Sequence, residues 1–184
     1  LKAGALSLDI PLYKYIGGAL TKRLPMPMMN ILNGGAHADN NVAMQEFMIV
    51  PIGAPTFSDG VRMCSEVYGT LKNILKSGGY GTTVGDEGGF APMLSSDEEA
   101  IKLILEAVHL AGYEADSDFK IALDVAASQW KSEGGYVLTK SRKSYTADEL
   151  IDYYAALVEK YPIMSIEDAL DENDREGWKR LSEK

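Results

Sequence analysis

Apolar positions fall in short blocks whose spacing switches between strand-like and helix-like. Residues 25–35 predict a short apolar strand that ends in the turn Gly34-Gly35. Residues 46–52 predict a second strand, stopped by Pro51. Val61, Cys64, Tyr68, Leu71 and Leu75 then recur at steps of three and four, which puts them on one helix face closed by Gly78-Gly79. Cys64 on that stripe reads as a packed core thiol. A second helix opens at Ser95 or Ser96, each with a Glu three residues on (Glu98, Glu99), which is a capping-box pattern. It runs through Ile101, Ile104, Leu105 and Val108 to Gly112, a fitting residue just past a helix end. His109 on this helix has no acidic or cysteine neighbour at ligand spacing and reads as a surface or packing residue.

Residues 119–124 form a buried-looking strand, and Gly134-Gly135 predicts a hairpin before residues 136–138. Thr146 with Glu149 opens another helix, carrying Leu150, Ile151, Tyr154, Leu157 and Val158 and closed at Tyr161-Pro162. Residues 163–167 are the next strand, and a last helical pattern runs from Asp174 to Lys184. Strands alternating with helices place the chain in the α/β class, with parallel pairing in a barrel or an open doubly wound sheet. A final helix with no strand after it leaves a sheet edge uncovered, so part of a larger fold is expected.

Composition narrows the function classes. The chain has 184 residues, 46% hydrophobic and 24% charged, an ordinary globular balance for one domain, or one domain and a fragment. No apolar run approaches the ~20 residues that span a bilayer, so no membrane span is expected. Eighteen basic against 27 acidic residues give a net charge of −9 with no basic cluster, which argues against nucleic-acid binding. A single cysteine excludes an internal disulfide and suits a reducing cytosol, so a cytoplasmic location is expected. The start, Leu1-Lys2-Ala3-Gly4, carries no secretory pattern.

Three places offer chemistry. Asp124 and Glu167 each close an apolar strand, and in a parallel barrel such strand ends share one mouth, where active sites sit. An unpaired buried charge is costly, and a divalent cation such as Mg2+, which prefers hard oxygen ligands, would neutralise both. The alternative is that each carboxylate caps a helix or pairs with a lysine. Gly85-Asp86-Glu87-Gly88-Gly89 flanks an acidic pair with glycines that permit close approach of a ligand, or forms an acidic surface turn. It lacks the lysine and spacing of a phosphate-binding P-loop. His37 lies in a polar, glycine-rich loop, residues 33–41, able to close over a phosphate or carboxylate, with Gln45-Glu46 just ahead of the next strand. Neither Cys64 nor any Gly-x-Ser-x-Gly turn supports a nucleophile.

Together these segments resemble enolase, the phosphopyruvate hydratase of glycolysis. The resemblance runs over essentially the whole chain. It is carried by residues 10–18, by Met29-Asn30-Ile31-Leu32-Asn33-Gly34-Gly35-Ala36-His37-Ala38, by residues 45–49, by Gly85-Asp86-Glu87-Gly88-Gly89, by Ala122-Leu123-Asp124 and by residues 161–168. It implies that residues 1–20 are the last helix of an N-terminal capping domain. Residues 25–184 would then be the first half of a TIM (β/α) barrel that begins strand-strand-helix-helix and is open on one side.

It also implies Mg2+-dependent, reversible conversion of 2-phosphoglycerate to phosphoenolpyruvate. In that chemistry a lysine removes the α-proton, two Mg2+ ions stabilise the enediolate as Lewis acids, and a glutamate protonates the departing hydroxide. By motif Glu87 matches that acid and Glu46 its partner. His37, Gln45, Glu46 and Glu167 match substrate-site positions, and Asp124 and Glu167 match two of three carboxylates around the tighter Mg2+. The third carboxylate, the lysine base and the phosphate-gripping residues belong to strands that the family places after Glu167, so these 184 residues alone are expected to be inactive. A homo-oligomer is expected for the full-length protein, and a cell-surface or secreted pool is possible by the same resemblance. Gln129, Met93 and Ala169 depart from the family's usual Glu, Asn and Pro or Gly. The alternatives are a non-catalytic enolase-derived binding or structural piece and, disfavoured by these motifs, a related acid-sugar dehydratase.

Overall fold

The computed structural model describes residues 1–85 and 87–184. Two short helices, α1 (Lys2–Ser7) and α2 (Leu12–Gly17), open the chain. The single helix expected over residues 1–20 is thus broken. Pro11 offers no N–H to a continuing ladder, and Asp9 turns the chain with φ 52°. Residues 25–28 precede the strand without joining it, because Pro25 and Pro27 cannot donate to a neighbour.

Four strands make the main sheet: β1 (Met29–Asn33), β2 (Glu46–Val50), β3 (Lys120–Asp124) and, after a small hairpin sheet, β7 (Ile163–Glu167), in the order β1-β2-β3-β7. Only β3 and β7 are parallel; β1–β2 and β2–β3 are antiparallel, against the expectation of parallel pairing throughout. The connections explain this. Residues 34–45 join β1 to β2 without a helix to carry the chain back. Two packed helices, α3 (Phe57–Ser77) and α4 (Asp97–Leu110), separate β2 from β3. One helix returns the chain to the start of a strand and gives a parallel pair; a second cancels that return. Between β3 and β7 a single long helix, α5 (Ala147–Lys160), restores the parallel rule. The sheet is open, with no closed barrel among the described residues.

Both faces of the central strands are buried. Phe47, Ile49, Ile121 and Leu123 pack toward the helices, in one cluster with Met63, Cys64, Val67, Leu71 and Leu75 of α3 and Ile101 and Ile104 of α4. Met48, Val50 and Ala122 form a smaller cluster of their own. Burial pushes the Cys64 thiol up to about 11, as suits a packed core group. His109 is exposed.

The stripes differ from expectation at their margins. Val61 and Val158 are exposed, whereas Met63 and Val67 are buried. β7 was expected to be buried, but it is an edge strand whose Met164, Ser165 and Glu167 are exposed.

The remaining pieces cover the ends. Ser96 caps α4 by accepting from Glu99 N–H, while the Glu99 carboxylate bonds back to Ser95. Thr146 and Glu149 complete a reciprocal capping box on α5. The hairpin at Gly134 has a third strand: β4 (Lys131–Ser132), β5 (Gly135–Val137) and β6 (Ser144–Tyr145). Asp174 caps α6 (Arg175–Glu183) at Gly177 N–H. No helix among the described residues is long and apolar enough to cross a membrane.

The corrected stripe of α3 is testable by truncation. Leu71→Ala should cost about 2–5 kcal/mol by opening a core cavity. Val61→Ala should change stability by no more than about 0.5 kcal/mol. Urea unfolding of the two variants checks the ranking, and equal losses would put Val61 back in the core.

Candidate active site

The four strands meet at one rung. Asn33 pairs in register with Glu46, Glu46 with Asp124, and Asp124 with Glu167. Directly paired residues project from the same face of a sheet, about 5 Å apart. Three carboxylates therefore stand in a row at one end of the sheet. Asp124 and Glu167 close their strands, as expected for neighbouring parallel strands. Glu46 opens its strand, and only the antiparallel course of β2 brings it to the same end.

Local contacts set each side chain. Asp124 is half-buried; its Oδ2 accepts from Gln45 Nε2 at 2.8 Å and its Oδ1 from Ala126 N–H at 3.1 Å. Gln45 Oε1 in turn accepts from Gln129 Nε2 at 3.1 Å, so the carboxylate fixes which way both amides point. Glu167 is exposed, so the cost of burial invoked for it from sequence does not apply; its charge is instead one of those facing Glu46. Ala126 and Asp168, which follow the two strand ends, both take left-handed backbone with φ 52° and 47°, a strained choice for residues with a Cβ.

Glu87 reaches this rung from outside the sheet. The segment ending at Phe90 lies along the free edge of β1, with Phe90 N–H donating to Ile31 O at 2.9 Å and Asn33 N–H to Phe90 O at 2.8 Å. On the helix side, the Tyr68 ring stacks on Phe90 at 4.4 Å, and its hydroxyl donates to Gly88 O at 2.9 Å. Gly88 turns the chain with φ 93° and opens to free space, whereas Gly85 and Gly89 serve the protein's own packing. A Cβ at Gly85 would stand 2.4 Å from Asn33 Nδ2, and one at Gly89 would stand 2.8 Å from Leu32 N. Asp86, the other half of the acidic pair, lies outside the described residues. Glu87 stands between the rung and a cleft of about 380 Å3 lined by Met29, Asn30, Ser65, Tyr68 and Gly88.

His37 ends a 3-10 turn at Gly35–His37. Its Nδ1 lies 3.3 Å from Glu46 Oε1 and 4.0 Å from Glu87 Oε2, without the alignment of a hydrogen bond. His37, Glu46 and Glu87 each present one donor atom within 4.8 Å of the others. The trio that geometry brings together is thus His37–Glu46–Glu87, while Asp124 and Glu167 gain no third ligand among the described residues.

The electrostatics are lopsided. Burial, a hydrogen bond with Glu87 and the charges of Glu87, Asp124 and Glu167 push the Glu46 carboxyl up to about 8. Among the described residues, no lysine or arginine forms an ion pair with any of these four groups. At neutral pH Glu46 therefore keeps its proton, a poised acid beside a concentration of acidic side chains.

Residues 21–184 match the family described as the enolase C-terminal TIM barrel domain. The chain belongs to the enolase family. In a TIM barrel the carboxyl ends of the parallel strands carry the chemistry, and Asp124 and Glu167 close the two parallel strands here. The sheet is open and its α/β content fits the family match. The structural roles of two polar residues near the rung have no local sequence signal. Asn33 is fully buried at the head of the rung, and Asp97 ties a distant loop; both are polar residues whose importance lies in partners more than 50 positions away.

The Glu46 shift has a defined sign. The folded state binds the Glu46 proton more tightly than the unfolded chain, whose reference value is 4.5. The resulting stabilisation is full below about 4.5 and is lost as pH rises through about 8. Wild type should therefore lose stability relative to Glu46→Gln between pH 5 and about 8, when both are unfolded in urea without divalent metal. Parallel stability curves across that window would mean that Glu46 titrates normally.

Proposed function

We propose that the chain is part of a phosphopyruvate hydratase that removes water from 2-phosphoglycerate to give phosphoenolpyruvate, reversibly and with Mg2+, in glycolysis and gluconeogenesis. The supporting observation is the rung: Glu46, Asp124 and Glu167 in register at one sheet end, with Glu87 and His37 delivered to it by two loops. The donor set suits a magnesium ion. Its members are hard carboxylate oxygens, and the charges of Asp124 and Glu167 converge on Glu46 at one end of the sheet. Asp124 and Glu167 would hold Mg2+, and the ion would supply charge neutralisation as the substrate becomes more negative.

The chain's own residues account for the second half of the reaction. Dehydration breaks the α C–H bond and the neighbouring C–OH bond, and the hydroxyl leaves as water once it gains a proton. Glu46 keeps a proton at neutral pH and is the reservoir; Glu87, hydrogen-bonded to it on the more exposed side, is the donor. His37 contributes an imidazole beside both carboxyls, suited to an anionic substrate. Gln45, held by Asp124 and Gln129, lines the same end.

On this proposal residues 1–20 belong to the capping domain and residues 25–184 to the first half of the barrel. The whole enzyme would be a cytoplasmic homo-oligomer acting on a small molecule. One observation fits the second possibility, a non-catalytic binding or structural piece: no lysine forms an ion pair with the carboxylate cluster among the described residues.

Two assays test the proposal. The 184-residue chain with saturating Mg2+ should form no measurable phosphoenolpyruvate from 2-phosphoglycerate. Turnover above that of its Glu87→Gln variant would require a base within these residues. In an enzyme that also carries the remaining strands, Glu87→Gln should lower turnover by about two to four orders of magnitude. It should spare exchange of the substrate α-proton with solvent. Equal loss of both would take Glu87 out of the acid role.

A further inference from the structure

Asp97 is a carboxylate that the proposed chemistry does not use, yet it is only 7% exposed. It sits in the first turn of α4, and its Oδ1 accepts from Ala43 N–H at 2.7 Å and Met44 N–H at 3.1 Å. Those two donors belong to the loop between β1 and β2 and are themselves shut off from water, Ala43 being 3% and Met44 0% exposed. Removing the acceptor would strand two buried N–H groups, which is the expensive way to lose a hydrogen bond. Burial raises the Asp97 carboxyl above its ordinary range, while the two backbone N–H groups and the Lys143 charge draw it back.

The loop that Asp97 grips is also closed on itself. Gly34 N–H donates to Gln45 O and Gly35 N–H to Val42 O, both at 2.9 Å. Asn40 Nδ2 donates to Asn33 O at 2.9 Å and Pro92 O at 3.0 Å, and Asn41 Oδ1 accepts from Leu94 N–H at 2.8 Å. Residues 40–44 are therefore fastened to residues 92–97, the stretch that leads from the Glu87 loop into α4. At the two ends of the fastened loop stand His37 and Gln45-Glu46.

We propose that Asp97 is a positioning residue: its carboxylate latches the β1–β2 loop to the start of α4 and thereby holds His37 and Gln45-Glu46 against Glu87. The sequence suggested a mobile, substrate-closing loop at this place; the latch makes its middle a fixed strut. The consequence for catalysis rests on the enolase proposal, whereas the latch is a statement about geometry alone.

Amide hydrogen exchange on the 184-residue chain tests it, with Asp97→Ala, Asp97→Asn and wild type compared at one pH. Asp97→Ala should speed exchange of the Ala43 and Met44 amides by about ten- to hundredfold, while Ile121 and Ala122 in β3 keep their protection. Asp97→Asn, which retains a neutral acceptor, should recover most of the protection. The ring resonances of His37 should shift in Asp97→Ala and return toward wild type in Asp97→Asn. Those of exposed His109, on the same helix as Asp97, should stay put.

A helix-capping role alone would lower global stability without moving His37, so unchanged His37 resonances would overturn the proposal. Equal acceleration at Met44 and Ile121 would do the same. If Asp97→Ala does not fold, Asp97→Asn must still show several-fold faster exchange confined to Ala43 and Met44, and its absence would count against the latch. A latch seen by exchange in a protein that never dehydrates 2-phosphoglycerate would uphold this inference and reject the enolase activity.

Discussion

Like charges brought face to face on neighbouring strands repel, and a sheet normally avoids them. Here Glu46, Asp124 and Glu167 occupy one rung, with Glu87 and His37 beside them and no lysine or arginine paired to any of the carboxylates among the described residues. Much of the surrounding structure is a response to that crowding. Glu46 keeps a proton far above the usual carboxylate range. Asp124 takes hydrogen bonds from the Gln45 amide and the Ala126 N–H. Glu167 remains in water at the sheet edge. A rung of this kind is costly as architecture; on the proposed function it would hold a divalent cation and a proton in the same place.

The framework around the rung is rigid because its loops are fastened by buried polar residues as well as by apolar packing. Asn33, fully buried, donates to Gly89 O and accepts from Asn30, while Asn40 and Asp97 bind backbone groups of the loops. Each satisfies donors or acceptors that would otherwise be stranded where water cannot reach. The aromatic stack of Tyr68 on Phe90 serves the Glu87 loop in the same way, joining α3 to the edge of β1. Helices, loops and sheet are thus coupled at the end where the carboxylates stand, and the apolar core beneath fixes the register that aligns them.

Local signals carried a large part of this account. Period-three and period-four apolar spacing, capping residues such as Thr146 and Glu149, and Gly112 at a helix end were legible because each depends on neighbours a few positions away. The carboxylates after apolar runs were legible for the same reason. What was not legible depends on distant partners. The antiparallel course of β2 follows from a helix pair packing on itself, and a purely parallel sheet would have sent Glu46 to the far end from Asp124. Of the glycines around Glu87, Gly88 takes the positive φ and open space that the sequence pattern suggests, whereas the space at Gly85 and Gly89 is taken by Asn33 and by the β1 backbone. Asp97 follows the helix cap with no local signal of its role, and only the fold brings Ala43 and Met44 onto it.

On the proposed function the rung holds a divalent cation through Asp124 and Glu167. Manganese, a paramagnetic stand-in for magnesium, tests it residue by residue through broadening of amide resonances in the 184-residue chain at millimolar metal. The account predicts broadening centred on Asp124 and Glu167, reaching Glu46, and abolished by Asp124→Asn. Broadening centred instead on the scattered acidic residues of the helix surfaces, or unchanged by Asp124→Asn, would contradict it.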